Sequence, residues 1–162
     1  MFRSGDLASA IKLCEANDYV GLSNMIQKNP KLAKMADRTG NTLLHVASHK
    51  GQLDHIMMLL LHGSNVNASD KSGFTPLMVA LQFLHGDAAN FLVESGASVS
   101  DSNSSKHTPL HIATVFGCVD SVVHLLQVGA NANAQDIYGN TPVMCSATRG
   151  YQEILSRKFN FR

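Results

Sequence analysis

An all-α repeat fold, made of stacked helix-turn-helix units rather than one globular centre, is predicted by a fixed period, a recurring motif and the composition. Thr42, Thr75, Thr108 and Thr141 stand 33 residues apart at every step. The stretch His107, Thr108, Pro109, Leu110, His111, Ile112, Ala113 returns as Phe74, Thr75, Pro76, Leu77, Met78, Val79, Ala80, with further copies over 41–47 and 140–146. A unit this short cannot bury its apolar face alone, so a regular period implies a neighbour stacked against each unit. Hydrophobic residues make up 44% of the 162 and charged residues 15%, a folded rather than a disordered composition.

Residues 1–36 keep the helical spacing without the motif: Ala10, Ile11, Leu13 and Cys14, then Leu22, Met25 and Ile26, recur at i, i+3, i+4 intervals. This reads as a degenerate first unit capping the stack, with Lys12, Lys28, Lys31 and Lys34 on its wet side and Asn29-Pro30 ending its second helix.

Units follow over 37–69, 70–102 and 103–135, and a shortened one over 136–162. Each opens on a turn. In Asp37-Arg38-Thr39-Gly40 the Asp can bond its own backbone and the Gly supplies positive φ. Thr42 then caps a first helix, and in the later units Pro76, Pro109 and Pro142 take the first helical position, where a missing N–H costs nothing. Asp54, Asp87, Asp120 and Glu153 stand near the starts of the second helices, where the macrodipole favours an acid. Gly63, Gly96 and Gly129 end those helices.

Two units depart from the pattern. Leu84 stands where Gly51, Gly117 and Gly150 do, which predicts a rebuilt loop between the helices of that unit. Asn103 and Lys106 replace the Asp and Gly of the next turn, which is therefore expected to be the loosest. The last unit carries Lys158 at an apolar register position and is read as a polar C-terminal cap, the alternative being a chain cut from something longer.

Composition narrows the function classes. Residues 1–50 carry seven Lys/Arg against four Asp/Glu, residues 51–148 two against seven, and residues 149–162 four against one. An acidic middle does not suit a nucleic-acid binder, which needs a continuous basic face. The longest apolar run, 56–61, is far shorter than the roughly 20 residues that span a bilayer, so no membrane insertion is expected. No apolar signal core opens the sequence, and the expected location is cytoplasm or nucleus. Cys14, Cys118 and Cys145 leave one thiol over in any disulfide scheme and lack metal-type spacing. Cys14 and Cys145 fall on small or apolar register positions, which predicts buried, reduced thiols.

No cofactor, metal or catalytic site is expected. His45 and His111 each lie three residues after a cap threonine, close enough for a hydrogen bond that fixes the helix turn, and Met78 and Met144 replace them elsewhere. The turn glycines are isolated rather than part of a phosphate loop, and no serine sits in G-x-S-x-G.

The 33-residue period with T-P-L-H-x-A resembles the ankyrin repeat. The resemblance implies a solenoid whose units are joined by β-turn loops, with the threonine and histidine as structural partners. It also implies a protein-interaction module that holds a partner protein on the concave surface of turn tips and first helices, and a monomer is expected. By register, the variable positions of that surface include Arg38, Asn41, Lys50, Phe74, Phe83, His107, Val115, Phe116, Ile137, Tyr138 and Arg149. Phe74, Phe83, Phe116 and Tyr138 are expected at its centre, although Phe83 and Phe116 could instead tuck against a neighbouring loop. Such a module is either a small stand-alone inhibitor that occludes a partner enzyme, or the recognition arm of a larger scaffold protein such as a ubiquitin-ligase adaptor or channel. Asn67 and Asn133 match loop asparagines that ankyrin-like proteins can carry hydroxylated, a change that intact mass reads as one added oxygen; alternatively both side chains simply bond the loop backbone.

Overall fold

The computed structural model describes residues 4–147. Among these every regular element is helical, and a single isolated antiparallel bridge, Ala36 with Thr42, closes the first turn. The helices fall in pairs: α1 (Ser4–Glu15) with α2 (Tyr19–Lys28), α3 (Leu43–Lys50) with α4 (Leu53–Leu61), α5 (Pro76–Gln82) with α6 (Gly86–Glu94), and α7 (Pro109–Phe116) with α8 (Val119–Gln127). A short 3-10 turn, Pro30–Lys34, follows α2, and α9 (Pro142–Ala147) opens the last unit.

First helices stack on first helices, α1 to α3 to α5 to α7 to α9, and second helices stack on second helices in a parallel row. The first row packs more closely than the second. Turn tips and first helices lie on one side of the stack and second helices on the other.

One apolar seam runs between the rows. Leu43, Leu44 and Ala47 of α3, Ile56 and Leu59 of α4, Leu77, Ala80 and Leu81 of α5, and Leu92 of α6 are fully buried. The first pair joins the seam through Ala10, Cys14, Leu22 and Ile26, the positions its spacing selects, while its lysines stay exposed.

The first helices of the first two full units are capped as their sequence dictates. The Thr42 and Thr75 hydroxyls accept from the backbone N–H groups of His45 and Met78, both at 3.4 Å. Where a histidine follows, the bond is returned, since Nδ1 of His45 accepts from Thr42 N at 3.1 Å and Nδ1 of His111 from Thr108 N at 3.2 Å.

The loop within the second full unit is not rebuilt, contrary to expectation. Leu84 takes φ 63°, beside 66° for Gly51 and 75° for Gly117, and the chain keeps the same closing bonds, Leu84 N to Leu81 O and His85 N to Ala80 O. The neighbouring units hold the chain in a left-handed conformation that costs a leucine roughly 1–2 kcal/mol. Because Leu84 is largely exposed, Leu84→Gly gives up little packing. Glycine's greater freedom in the unfolded chain offsets part of the relief, leaving an expected gain of up to about 1 kcal/mol. An unchanged or lower denaturation midpoint would count against strain at this residue.

The turn at Asn103 is likewise as fully bonded as the others. Asn103 Oδ1 accepts from the N–H groups of Ser105 and His107, as Asp70 Oδ1 does from Ser72 and Phe74, and Lys106 adopts φ 58° in the glycine position. An amide oxygen does the work of the carboxylate.

A candidate protein-docking face

The turn tips form a continuous row because their backbones bond across units. Lys71 N donates to Thr39 O at 2.9 Å, Ser104 N to Ser72 O at 2.9 Å, and Ile137 N to Ser105 O at 3.1 Å. The contact is close: a Cβ on Gly73 would lie 2.8 Å from the Asn103 backbone. Side chains at the tips therefore project at a fixed spacing. Along equivalent positions they run Arg38, Lys71, Ser104, Ile137 and Thr39, Ser72, Ser105, Tyr138, from cationic through hydroxyl to apolar.

A second device ties the first helices together. The residue before each second helix reaches back to a last-turn carbonyl of the preceding unit's first helix. Gln52 Nε2 donates to Cys14 O at 3.0 Å, His85 Nε2 lies 2.8 Å from His49 O, and Cys118 Sγ donates to Leu81 O at 3.1 Å. Last-turn carbonyls have no partner within their own helix; Cys14 O and Leu81 O also accept from the Asn17 and Leu84 N–H groups beyond it, and the side chains add a bond that fixes the spacing between units. Three different residue types share the task, which is why no motif announced it.

The expected site residues divide by environment. Arg38 and Lys50 are exposed. Asn41 is half-buried, its side-chain amide donating to Thr39 Oγ1 at 2.9 Å. Ile137 is 51% and Tyr138 80% exposed. Phe83 is 43% exposed and stacks on His49 of the neighbouring unit, ring centres 3.9 Å apart. Phe74 and Phe116 pack against the core and Val115 is half-buried, so the four rings do not share one exposed patch. Asn41, Lys50 and Phe83 do come together, around a concavity of about 370 Å³ on the first-helix side that Ile11, His45 and Val79 also line. Arg38 borders a neighbouring cavity of about 340 Å³ against α1. Arg149 lies outside the described residues.

Asn67 bridges two loops. Its Oδ1 accepts from Ser98 N at 2.8 Å and its Nδ2 donates to Gly96 O at 3.3 Å. Asn133 is exposed.

Sequence reasoning missed a second surface, on the outer row. Leu61 is 84% and Met57 51% exposed, and with Tyr19, His62 and Phe91 they border a cavity of about 650 Å³. The signal was available, since Met57 and Leu61 are four residues apart on the side of α4 opposite the fully buried Ile56 and Leu59.

The thiols are not activated as nucleophiles. None of the three cysteines forms a disulfide; burial pushes the Cys14 thiol up to about 12 and the Cys118 thiol up to about 11. Cys145, expected to be buried among apolar residues, is only half-buried, and its thiol faces Asp136 at 3.7 Å. Among the described residues no helix is long and apolar enough to cross a membrane.

Against known proteins, no curated sequence matches closely enough to count as a relative. A family model for ankyrin repeats, in three copies, matches residues 9–103 and 98–157. Ankyrin repeats are generally protein-protein interaction modules and typically non-enzymatic. With the matched segments covering most of the sequence, and with stacked turns and threonine-capped first helices recurring along it, the chain belongs to the ankyrin-repeat family.

Proposed function

We propose that this chain is a non-catalytic module that holds a partner protein on the concave face of turn tips and first helices, acting as a monomer in the cytoplasm or nucleus. The observation that carries the reading is the exposure of Phe83, Ile137 and Tyr138 on the same side as Arg38, Lys50 and Lys71. Large exposed apolar side chains beside cations are the composition of interface hot spots and their rims. The order of the row orients the partner: acidic groups meet the first units, and an apolar stretch meets Ile137 and Tyr138. Phe74 and Phe116 shape the surface from beneath rather than serve as anchors.

Affinity capture with the wild-type chain, followed by titration of the captured protein, tests this. Tyr138→Ala and Phe83→Ala are each expected to weaken binding by about 2 kcal/mol, roughly 30-fold, with little change in melting temperature. The exposed Leu61 and Met57 favour one alternative, docking on the outer helices. If Leu61→Ser abolishes capture while both ring variants retain it, the partner sits on the convex side.

A further inference from the structure

We propose that His107, Asp136 and Cys145 form a three-ligand site for a divalent transition-metal ion of the zinc class, at the junction between the third full unit and the last. The donors come from three places: the turn before α7, the first residue of the next turn, and α9. His107 Nε2 lies 3.4 Å and Cys145 Sγ 3.7 Å from Asp136 Oδ2, and all three donor atoms fall within 4.8 Å of one another. Ligands held at about 2.0–2.3 Å from a tetrahedral ion are about 3.3–3.8 Å apart, so two of the three edges already have the required length.

The Asp136 carboxylate is held by the same turn bonds that Asp37 and Asp70 make. Asp136 is 6% exposed, and its Oδ1 accepts from Tyr138 N and Asn140 N, both at 2.8 Å, which fixes the carboxylate and leaves Oδ2 toward the cluster. Such outer bonds orient metal-ligating groups. The His107 ring lies 5.5 Å from that of His111 and near-parallel to it, and it remains 30% exposed, an entry path for an ion from solvent.

The repeat itself supplies the control. Residues equivalent to His107, Asp136 and Cys145 are Asn41, Asp70 and Val79 at one junction and Phe74, Asn103 and Ile112 at the next. Those junctions stack without the trio, so stacking does not require it. Two departures from register, His107 and Cys145, converge on the regular turn aspartate Asp136, and together the three bring one imidazole, one thiol and one carboxylate.

Cys145 Sγ and Asn140 Nδ2 both donate to Asp136 Oδ2, at 3.7 and 3.2 Å. A dication takes the place of the thiol proton, as metals do at thiolate ligands, and the carboxylate and thiolate then balance its charge. Mixed nitrogen, oxygen and sulfur donors suit zinc or cobalt rather than magnesium or calcium, with water in the fourth position.

Titration of the metal-free full chain with Co²⁺ tests the site. The expected result is one tight equivalent with a thiolate-to-cobalt charge-transfer band, displaced by Zn²⁺. Cys145→Ser is expected to abolish the band, and Cys14→Ser and Cys118→Ser to leave it intact. His107→Gln is expected to weaken cobalt binding more than about tenfold, since loss of even an outer-shell partner costs that much. Melting in chelator shows that each variant folds, and Zn²⁺ raises the melting temperature of the wild type but not of His107→Gln. No thiolate band in the wild type, a band that survives Cys145→Ser, or equal Zn²⁺ stabilisation of His107→Gln each overturns the proposal. Should Cys145→Ser not fold, the His107→Gln comparison decides alone.

Discussion

Leu110→Ala is expected to lower the unfolding free energy by roughly 2–5 kcal/mol, the range measured for truncating a buried leucine. Leu110 is 2% exposed, on a helix that packs against α5, α8 and α9 at once. In a stack each unit is held only by its neighbours, so a cavity there weakens its own unit and both interfaces. Gln127→Ala, at the exposed end of α8, removes a side chain of similar length and is expected to stay within about 0.5 kcal/mol. Chemical denaturation separates the two. Equal losses would mean that the inward register of the motif is misassigned, because a leucine and a glutamine truncated at the surface differ little.

Positions that matter through their own backbone were legible in the sequence. Thr42 and Thr75 cap, Pro76 and Pro109 begin helices, and Gly63 and Gly96 take positive φ, each for a reason contained within a few residues. The degenerate first unit was legible too, since Ala10, Cys14, Leu22 and Ile26 keep the apolar face although the motif is gone. Where local and global preferences conflict, reading residue by residue fails. Leu84 by itself disfavours the left-handed turn, yet the helices on either side of it fix the loop geometry and impose that turn. The rings of the docking face show the same limit. Phe74, Phe83, Phe116 and Tyr138 were grouped by register, but how much of each ring stays exposed depends on the neighbouring unit. Phe83 finds His49 to stack on, Phe116 finds core, and Tyr138 finds neither. His107, Asp136 and Cys145 occupy three different register positions, so their convergence shows only once adjacent units are stacked.

His45→Ala is expected to cost as much as a core truncation, roughly 2–5 kcal/mol, although histidine is a polar residue. The side chain is 2% exposed and joins two units. Because Nδ1 must accept from the Thr42 N–H at 3.1 Å, the proton sits on Nε2, which donates to Phe74 O at 3.0 Å in the next unit. Truncation leaves the Thr42 N–H unpaired, about 1–3 kcal/mol where buried, removes one of the two bonds at Phe74 O, which keeps the Asp70 N–H, and opens a cavity. His45→Met, the residue that Met78 supplies one unit later, keeps the volume and loses only the bonds, for an expected cost near the lower end of that range. The bonding scheme also requires a neutral ring. Burial lowers the His45 pKa below 6.5, and the Phe74 bond and the charges of Asp70 and Asp37 oppose this only in part. Unfolded, the ring titrates at about 6.5, so between the folded and unfolded values the unfolded chain binds more protons. The contribution of His45 is therefore complete above about pH 6.5 and is lost as pH falls from there through the lower folded value. Urea melts are expected to show wild-type stability declining below about pH 6.5, with a shallower decline in His45→Met, because one of the groups that must take up a proton on unfolding is gone. His55 and His111, also lowered chiefly by burial, supply the decline that remains. Parallel pH profiles for the two chains would mean that His45 is charged in the folded state, and the Nε2-protonated bridge to Phe74 would have to be abandoned.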